Sequence, residues 1–341
     1  MASTTETERS TDIFIACRNG KLDDIRYFLD DVGNSLEQID SRNRTPLFLA
    51  SCYGHVDCVR FLLDRGAKLE INKSLRSACN FGYHECMRLL LEKGADPNSH
   101  VNWIRDIKPF IRALEKGDIE GMRILLEHGA DIDQVNSVGA TPLHIACSRH
   151  KPECVSFLLD QGASIDAQDM DGNTPLHDAC LFGDIECVSI LLERDANMEC
   201  VTKKNGYTPL HRACLRRNPE CVSLLLEKGA DHSRTDHKGK TPLCIAAYEG
   251  SLECIRLLTE KGADIETPDD DGRTPLYEAT FWRRLPCIRF LLEAGANPEH
   301  PDIEGKTPRY IAMNPEPYQF GYSQRYEDVS RERMQLFVDL A

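Results

Sequence analysis

The chain has 341 residues, with 41 lysines and arginines against 55 aspartates and glutamates, for a formal net charge of −14. Such a surplus weighs against a nucleic-acid partner, whose phosphates require a basic stripe. Met1 to Ser10 are polar with no apolar run, so neither a signal peptide nor a membrane-inserted segment is expected, and fifteen cysteines then point to a reducing compartment.

Length alone suggests two or three domains, but an internal repeat overrides that estimate. Thr-Pro-Leu opens at Thr45, Thr141, Thr174, Thr208, Thr241 and Thr274, and Thr-Pro-Arg at Thr307. From Thr141 onward the steps are 33, 34, 33, 33 and 33 residues. Degenerate copies begin at Thr11, Lys73 and Lys108, recognised by Ala16-Cys17, Ala78-Cys79 and Ala113-Leu114 at the same offset. In chain order the expectation is a flexible tail over 1–10, ten repeat units over 11–312, and a loop with a capping helix over 313–341.

Within a unit, threonine caps a short helix and proline suits its first turn, where an N–H has no helical partner. A second helix follows, as from Glu153 to Gln161, with Val155, Phe157, Leu158 and Leu159 at helical spacing. Gly162 ends it, and Gly66, Gly94, Gly129, Gly229, Gly262 and Gly295 hold the same slot. Asp195 departs from that pattern, and Asp195→Gly is expected to stabilise the protein. Between units, the finger entering the third is expected to be short (Gly66 to Lys73) and the next slightly long, carrying Trp103 (Gly94 to Lys108). After Thr307, the segment 314–322 reads as a loop. An amphipathic end helix from about Glu327 then turns Val329, Met334, Phe337, Val338 and Leu340 toward the array.

These in-register motifs resemble the ankyrin-repeat family over about residues 11 to 341. The resemblance implies an all-α solenoid of about ten helix-turn-helix units with β-hairpin fingers, a continuous core strip and a concave groove. The groove is then expected at two positions closing each first helix, which include Tyr53, Phe81, Arg149, Phe182, Arg216, Tyr248, Phe281 and Trp282, extended by Arg217, Arg283 and Arg284. Aromatic residues and arginine carry interface energy, and Leu181 to Trp282 is the expected contact segment. Truncating Tyr248 and Trp282 together is expected to weaken a partner while leaving the fold intact. Some units, as at Leu176 to Cys180, resemble ankyrin proteins that carry a SOCS box, although the array ends at Ala341 with no room for one. Asn98 resembles a site of asparaginyl hydroxylation.

Other chemistry is weakly signalled. Twelve cysteines fall in two repeat slots that face the packed interior, one shared by Cys147 and Cys180 and the other by Cys154 and Cys187. His144, His177 and His211 precede cysteines by three residues, but no second pair closes a tetrahedral zinc set, and a structural bond to backbone is the favoured role. Glu85, Glu120, Glu153, Glu186, Glu220 and Glu253 recur at the start of second helices, where a carboxylate favours the helix dipole. Asp169, Asp171, Asp269, Asp270 and Asp271 mark finger tips and read either as solvated turns or as an edge steering a basic partner. With no phosphate loop or nucleophile elbow, the expectation is a monomeric, non-catalytic adaptor or scaffold without cofactors. It is expected in the cytoplasm, with the nucleus also open, and binds a protein rather than nucleic acid. A substrate-recognition subunit of a ubiquitin ligase is the alternative.

Overall fold

The computed structural model describes residues 10–99, 108–314 and 335–338. The chain separates into two compact units, 1–134 and 135–341. The first holds α1 (Ile13–Asn19), α2 (Leu22–Asp30), α3 (Pro46–Cys52), α4 (Val56–Asp64), α5 (Ile71–Phe81), α6 (His84–Glu92), α7 (Pro109–Lys116) and α8 (Ile119–Glu127). The second holds α9 (Pro142–Ser148), α10 (Pro152–Asp160), α11 (Pro175–Phe182), α12 (Ile185–Glu193), α13 (Pro209–Leu215), α14 (Pro219–Glu227), α15 (Pro242–Glu249), α16 (Leu252–Glu260), α17 (Pro275–Phe281), α18 (Leu285–Glu293) and α19 (Pro308–Met313).

Each helix is too short to stand alone, so packing supplies its stability. First helices pack on first helices of neighbouring repeats, as α11 does on α9 and α13, and each also packs on its own second helix. The recurring threonine is the N-cap: Thr45 Oγ1 accepts from the Phe48 N–H at 3.1 Å, and Thr208, Thr241, Thr274 and Thr307 repeat that bond. All twelve cysteines of the two repeat slots are buried. Burial pushes the thiols of Cys58, Cys86 and Cys287 up to about 11, as suits small apolar groups.

The histidines are structural. Nδ1 of His144, His177 and His211 meets both Oγ1 and the backbone N–H of the capping threonine. Their Nε2 atoms reach the carbonyls of Asn173, Tyr207 and Lys240, one repeat onward, at 2.9 to 3.0 Å. Each imidazole therefore ties a helix cap to the next finger, and both ring nitrogens are engaged.

The fingers are tight turns, and no regular strand forms among the described residues. In the second unit the Asp236 N–H donates to the Lys240 carbonyl at 2.9 Å, closing a loop too short for a ladder. Its Oδ1 accepts from the N–H groups of Lys238 and Lys240. Asp169, Asp269 and Asp302 repeat this arrangement. Asp169 and Asp269 are thus turn staples, and Asp269 is buried, whereas Asp171, Asp270 and Asp271 are exposed. Successive fingers are stitched by single bonds, Met170 N–H to Val138 and Asp270 N–H to Lys238 among them.

In the first unit the finger before α5 is curtailed, as its spacing implies: Glu70 adopts a left-handed conformation and the helix starts at Ile71. The longer finger with Trp103, the segment 315–334 and the residues Val329, Met334 and Leu340 lie outside the described residues. Residues 335–338 are helical, with Phe337 fully buried and its carbonyl accepting from Arg309 Nη1 at 2.8 Å. Val338, expected to dock, is 64% exposed, and Leu336 is buried in its place. Phe337 thus docks as expected, with Leu336 rather than Val338 beside it.

Candidate functional site

The second unit concentrates the candidate residues. First helices α11, α13, α15 and α17 end in Leu181-Phe182, Leu215-Arg216, Tyr248-Glu249 and Phe281-Trp282, so register alone brings these side chains into a row. Arg149, Phe182 and Arg216 are exposed, while Tyr248, Phe281, Trp282 and Arg283 are half-buried. Leu181, Phe182, Leu215, Arg216, Arg217, Asn218 and Glu249 line an open depression of about 420 Å³. Its lining mixes apolar Leu181, Phe182 and Leu215 with charged Arg216, Arg217 and Glu249, a combination suited to one apolar anchor with polar flanks.

Farther along the row the aromatics pack on one another. Tyr248 and Trp282 meet edge to face with centroids 4.8 Å apart, and Phe281 meets Trp282 at 5.4 Å. Trp282 Nε1 donates to Glu278 Oε2 at 3.2 Å. Glu278 is buried and holds the Lys240 ammonium, which also lies 3.6 Å from Asp269. Burial pulls the Lys240 pKa down, but Glu278 and Asp269 more than offset this and leave it above the ordinary lysine value. Tyr248 and Trp282 of the expected row are thus held against a charged cluster rather than fully presented to solvent.

A second depression of about 430 Å³ lies between the fingers and first helices, lined by Lys204, Tyr207, His237, Lys240, Ile245 and Tyr248 among others. Sequence reading missed it. Its signal was the residue just before each capping threonine, where Asn173, Tyr207, Lys240 and Arg273 vary while their neighbours repeat. Three of them form cation–aromatic contacts: Arg212 over Tyr207 at 5.5 Å, Lys240 over Tyr248 at 5.4 Å and Arg273 over Tyr277 at 5.6 Å.

The first unit carries its own candidates. Tyr53 is 42% exposed beneath the Arg18 guanidinium at 5.5 Å, and Phe81 is 56% exposed, stacked on Tyr83 at 5.8 Å. Asn98 bridges repeats, its Nδ2 donating to the Gly129 carbonyl and its Oδ1 accepting from the Asp131 N–H, both at 2.9 Å.

A family model for ankyrin repeats in three copies matches residues 2–73, 75–169, 110–201, 164–236 and 232–302. The putative E3 ubiquitin-protein ligase XBAT31 of Arabidopsis thaliana is 34% identical over 154 residues, 45% of this chain and 30% of that protein. Human protein phosphatase 1 regulatory subunit 27 is 42% identical over 45 residues, 13% of this chain and 29% of that one. The chain thus spans less than a third of the length of these relatives. Among solved structures, the human ASB11 ankyrin repeat domain aligns with a TM-score of 0.57 at 25% identity, covering 67% of this chain and 98% of that one. The ankyrin repeat domain of Bcl-3 aligns with a TM-score of 0.55 at 29% identity, covering 66% and 98%. Overlapping matches to one repeat model, on units whose threonine caps and finger turns recur from repeat to repeat, show that the chain belongs to the ankyrin-repeat family.

Proposed function

We propose that this protein is a non-catalytic adaptor or scaffold that holds a protein partner on the row closing its first helices in the second unit. Ankyrin-repeat domains typically bind proteins and are normally non-catalytic. The observation that carries the reading is the depression at Phe182, Leu215 and Arg216. It joins exposed aromatic and guanidinium groups to apolar leucines, the composition that supplies interface energy. Among the described residues no helix is long and apolar enough to cross a membrane.

The test is affinity purification from native cells with mass spectrometry, comparing wild type with Phe182→Ala, Arg216→Ala. Both side chains are exposed, so the fold should survive. Loss of one set of proteins from the variant supports the reading, and an unchanged set contradicts it. A second reading, substrate recognition within a ubiquitin ligase, draws on the similarity to the Arabidopsis protein. Ligase subunits retained by both proteins while other partners are lost would favour it.

A further inference from the structure

The turn joining the two helices of each repeat needs one residue in the left-handed conformation. In the first unit glycine fills it every time: Gly20, Gly54, Gly82 and Gly117, with φ from 70 to 73°. In the second unit Gly183 and Gly250 do the same, but His150, Arg217 and Arg283 replace glycine at φ of 54, 57 and 57°. A side chain there is strained, and the non-glycine residues enriched there are asparagine, aspartate and histidine. His150 is of that kind, but Arg217 and Arg283 are not, and all three are basic. Strain retained at a surface position is a pointer to use.

The neighbours share the charge. Over residues 149–151, 182–184, 216–218, 249–251 and 282–284 these turns carry six lysines and arginines against two acids, the reverse of the chain's 41 to 55. One of the acids, Asp184, is already committed: its Oδ1 caps α12 at the Cys187 N–H, and its Oδ2 lies 3.2 Å from His150 Nδ1. Arg284 lies flat across Gly250, where a Cβ would stand 2.5 Å from its Cδ, and its Nε donates to the Tyr248 carbonyl at 3.1 Å. Arg217 Nη2 donates to the Glu249 carbonyl. These bonds fix the guanidinium planes before any ligand arrives.

We infer that this row is the docking surface for an acidic polypeptide segment, whose carboxylates pair with the basic turns while an apolar side chain enters the depression at Leu181, Phe182 and Leu215. Planar guanidinium groups suit carboxylate pairing, and the interleaved apolar lining suits a peptide. The inference rests on the protein-binding reading and specifies the partner's chemistry.

The experiment measures fluorescence anisotropy of a labelled peptide with a central Leu-Phe pair flanked by glutamates. Its counterpart with lysine for glutamate and an oligothymidylate of equal length serve as the other probes. The acidic peptide should bind, more weakly as salt rises. The key variant is His150→Gly, Arg217→Gly, Arg283→Gly, which relieves strain. It should melt at a higher temperature and yet bind the acidic peptide about tenfold or more weakly, with a shallower salt dependence. No binding of the acidic peptide, unchanged affinity in the triple variant, or tighter binding of the oligonucleotide would overturn the inference. Preferential binding of the basic peptide, weakened by Phe182→Ala, Arg216→Ala, would overturn it while leaving the adaptor reading standing. Peptide binding that neither variant weakens would contradict both.

Discussion

Trp282 meets Tyr248 edge to face across two adjacent repeats, with ring centroids 4.8 Å apart, while its indole N–H is held by the buried carboxylate of Glu278. The pair is therefore part of the framework between repeats. This revises the expectation that both rings can be truncated without cost. Tyr248→Ala with Trp282→Ala should destabilise the protein by about 2–4 kcal/mol, from lost apolar burial and the ring pair together. Phe182→Ala, at a side chain 45% exposed, should cost less than about 1 kcal/mol. Urea unfolding of the two variants checks the contrast.

The ammonium of Lys240 stands between Glu278 and Asp269, both buried. Lys240→Met leaves two carboxylates facing each other without their cation, and a loss of about 3–5 kcal/mol is expected. Lys240→Met combined with Glu278→Leu removes both sides of the pair and should recover part of that loss. A double-mutant cycle on denaturation midpoints measures the coupling.

Acid should weaken the protein through its capping histidines. Burial pushes His177 and His211 down to about 4 and lowers His144, against the ordinary 6.5. Between pH 6.5 and 4 the unfolded chain therefore binds more protons at these sites, and stability falls as pH drops through that window. Asp178 opposes this: burial and the nearby Asp169 raise it to about 7, so the folded state holds its proton where the unfolded chain has lost it. Asp178→Asn should stabilise the protein above pH 7, by at most about 4 kcal/mol. That advantage should shrink as pH falls toward 4. Denaturation midpoints across pH 4 to 8 for both proteins read the two opposite slopes.

Asp195 sits at φ 60° in the slot that Gly162, Gly229 and Gly262 hold at 86 to 91°. A Cβ at those glycines meets nothing within 4 Å, so the cost of aspartate is one of backbone conformation alone. Asp195→Gly should raise stability by about 1 kcal/mol, read as a higher melting temperature.

Much of the fold is written in the repeat itself. The Thr-Pro opening predicts each helix start because one residue both caps and enters the helix, and the cysteine slots predict burial because period and face coincide. The division at Gln134 and Val135 leaves no comparable mark, since both flanking repeats keep their own helix pairs. Finger aspartates were legible as turn residues but not in their bonding. Composition shows an acid at a turn, but whether its Oδ1 is consumed by two backbone N–H groups, as in Asp269, depends on turn geometry. The row of candidate residues was legible from register. The cluster of Lys240, Asp269 and Glu278 was not, because it joins three residues from two fingers and a helix whose proximity exists only after stacking.

The central claim is that a protein partner rests on the ends of the first helices in the second unit. Replacing Phe182 with a photoreactive benzoylphenylalanine, and separately Glu227 on the exposed side of α14, then irradiating native cells and identifying adducts by mass spectrometry, tests it most directly. The account expects a defined protein adduct from position 182 and none shared with position 227. Adducts from position 227 alone, or the same adducts from both, would contradict it.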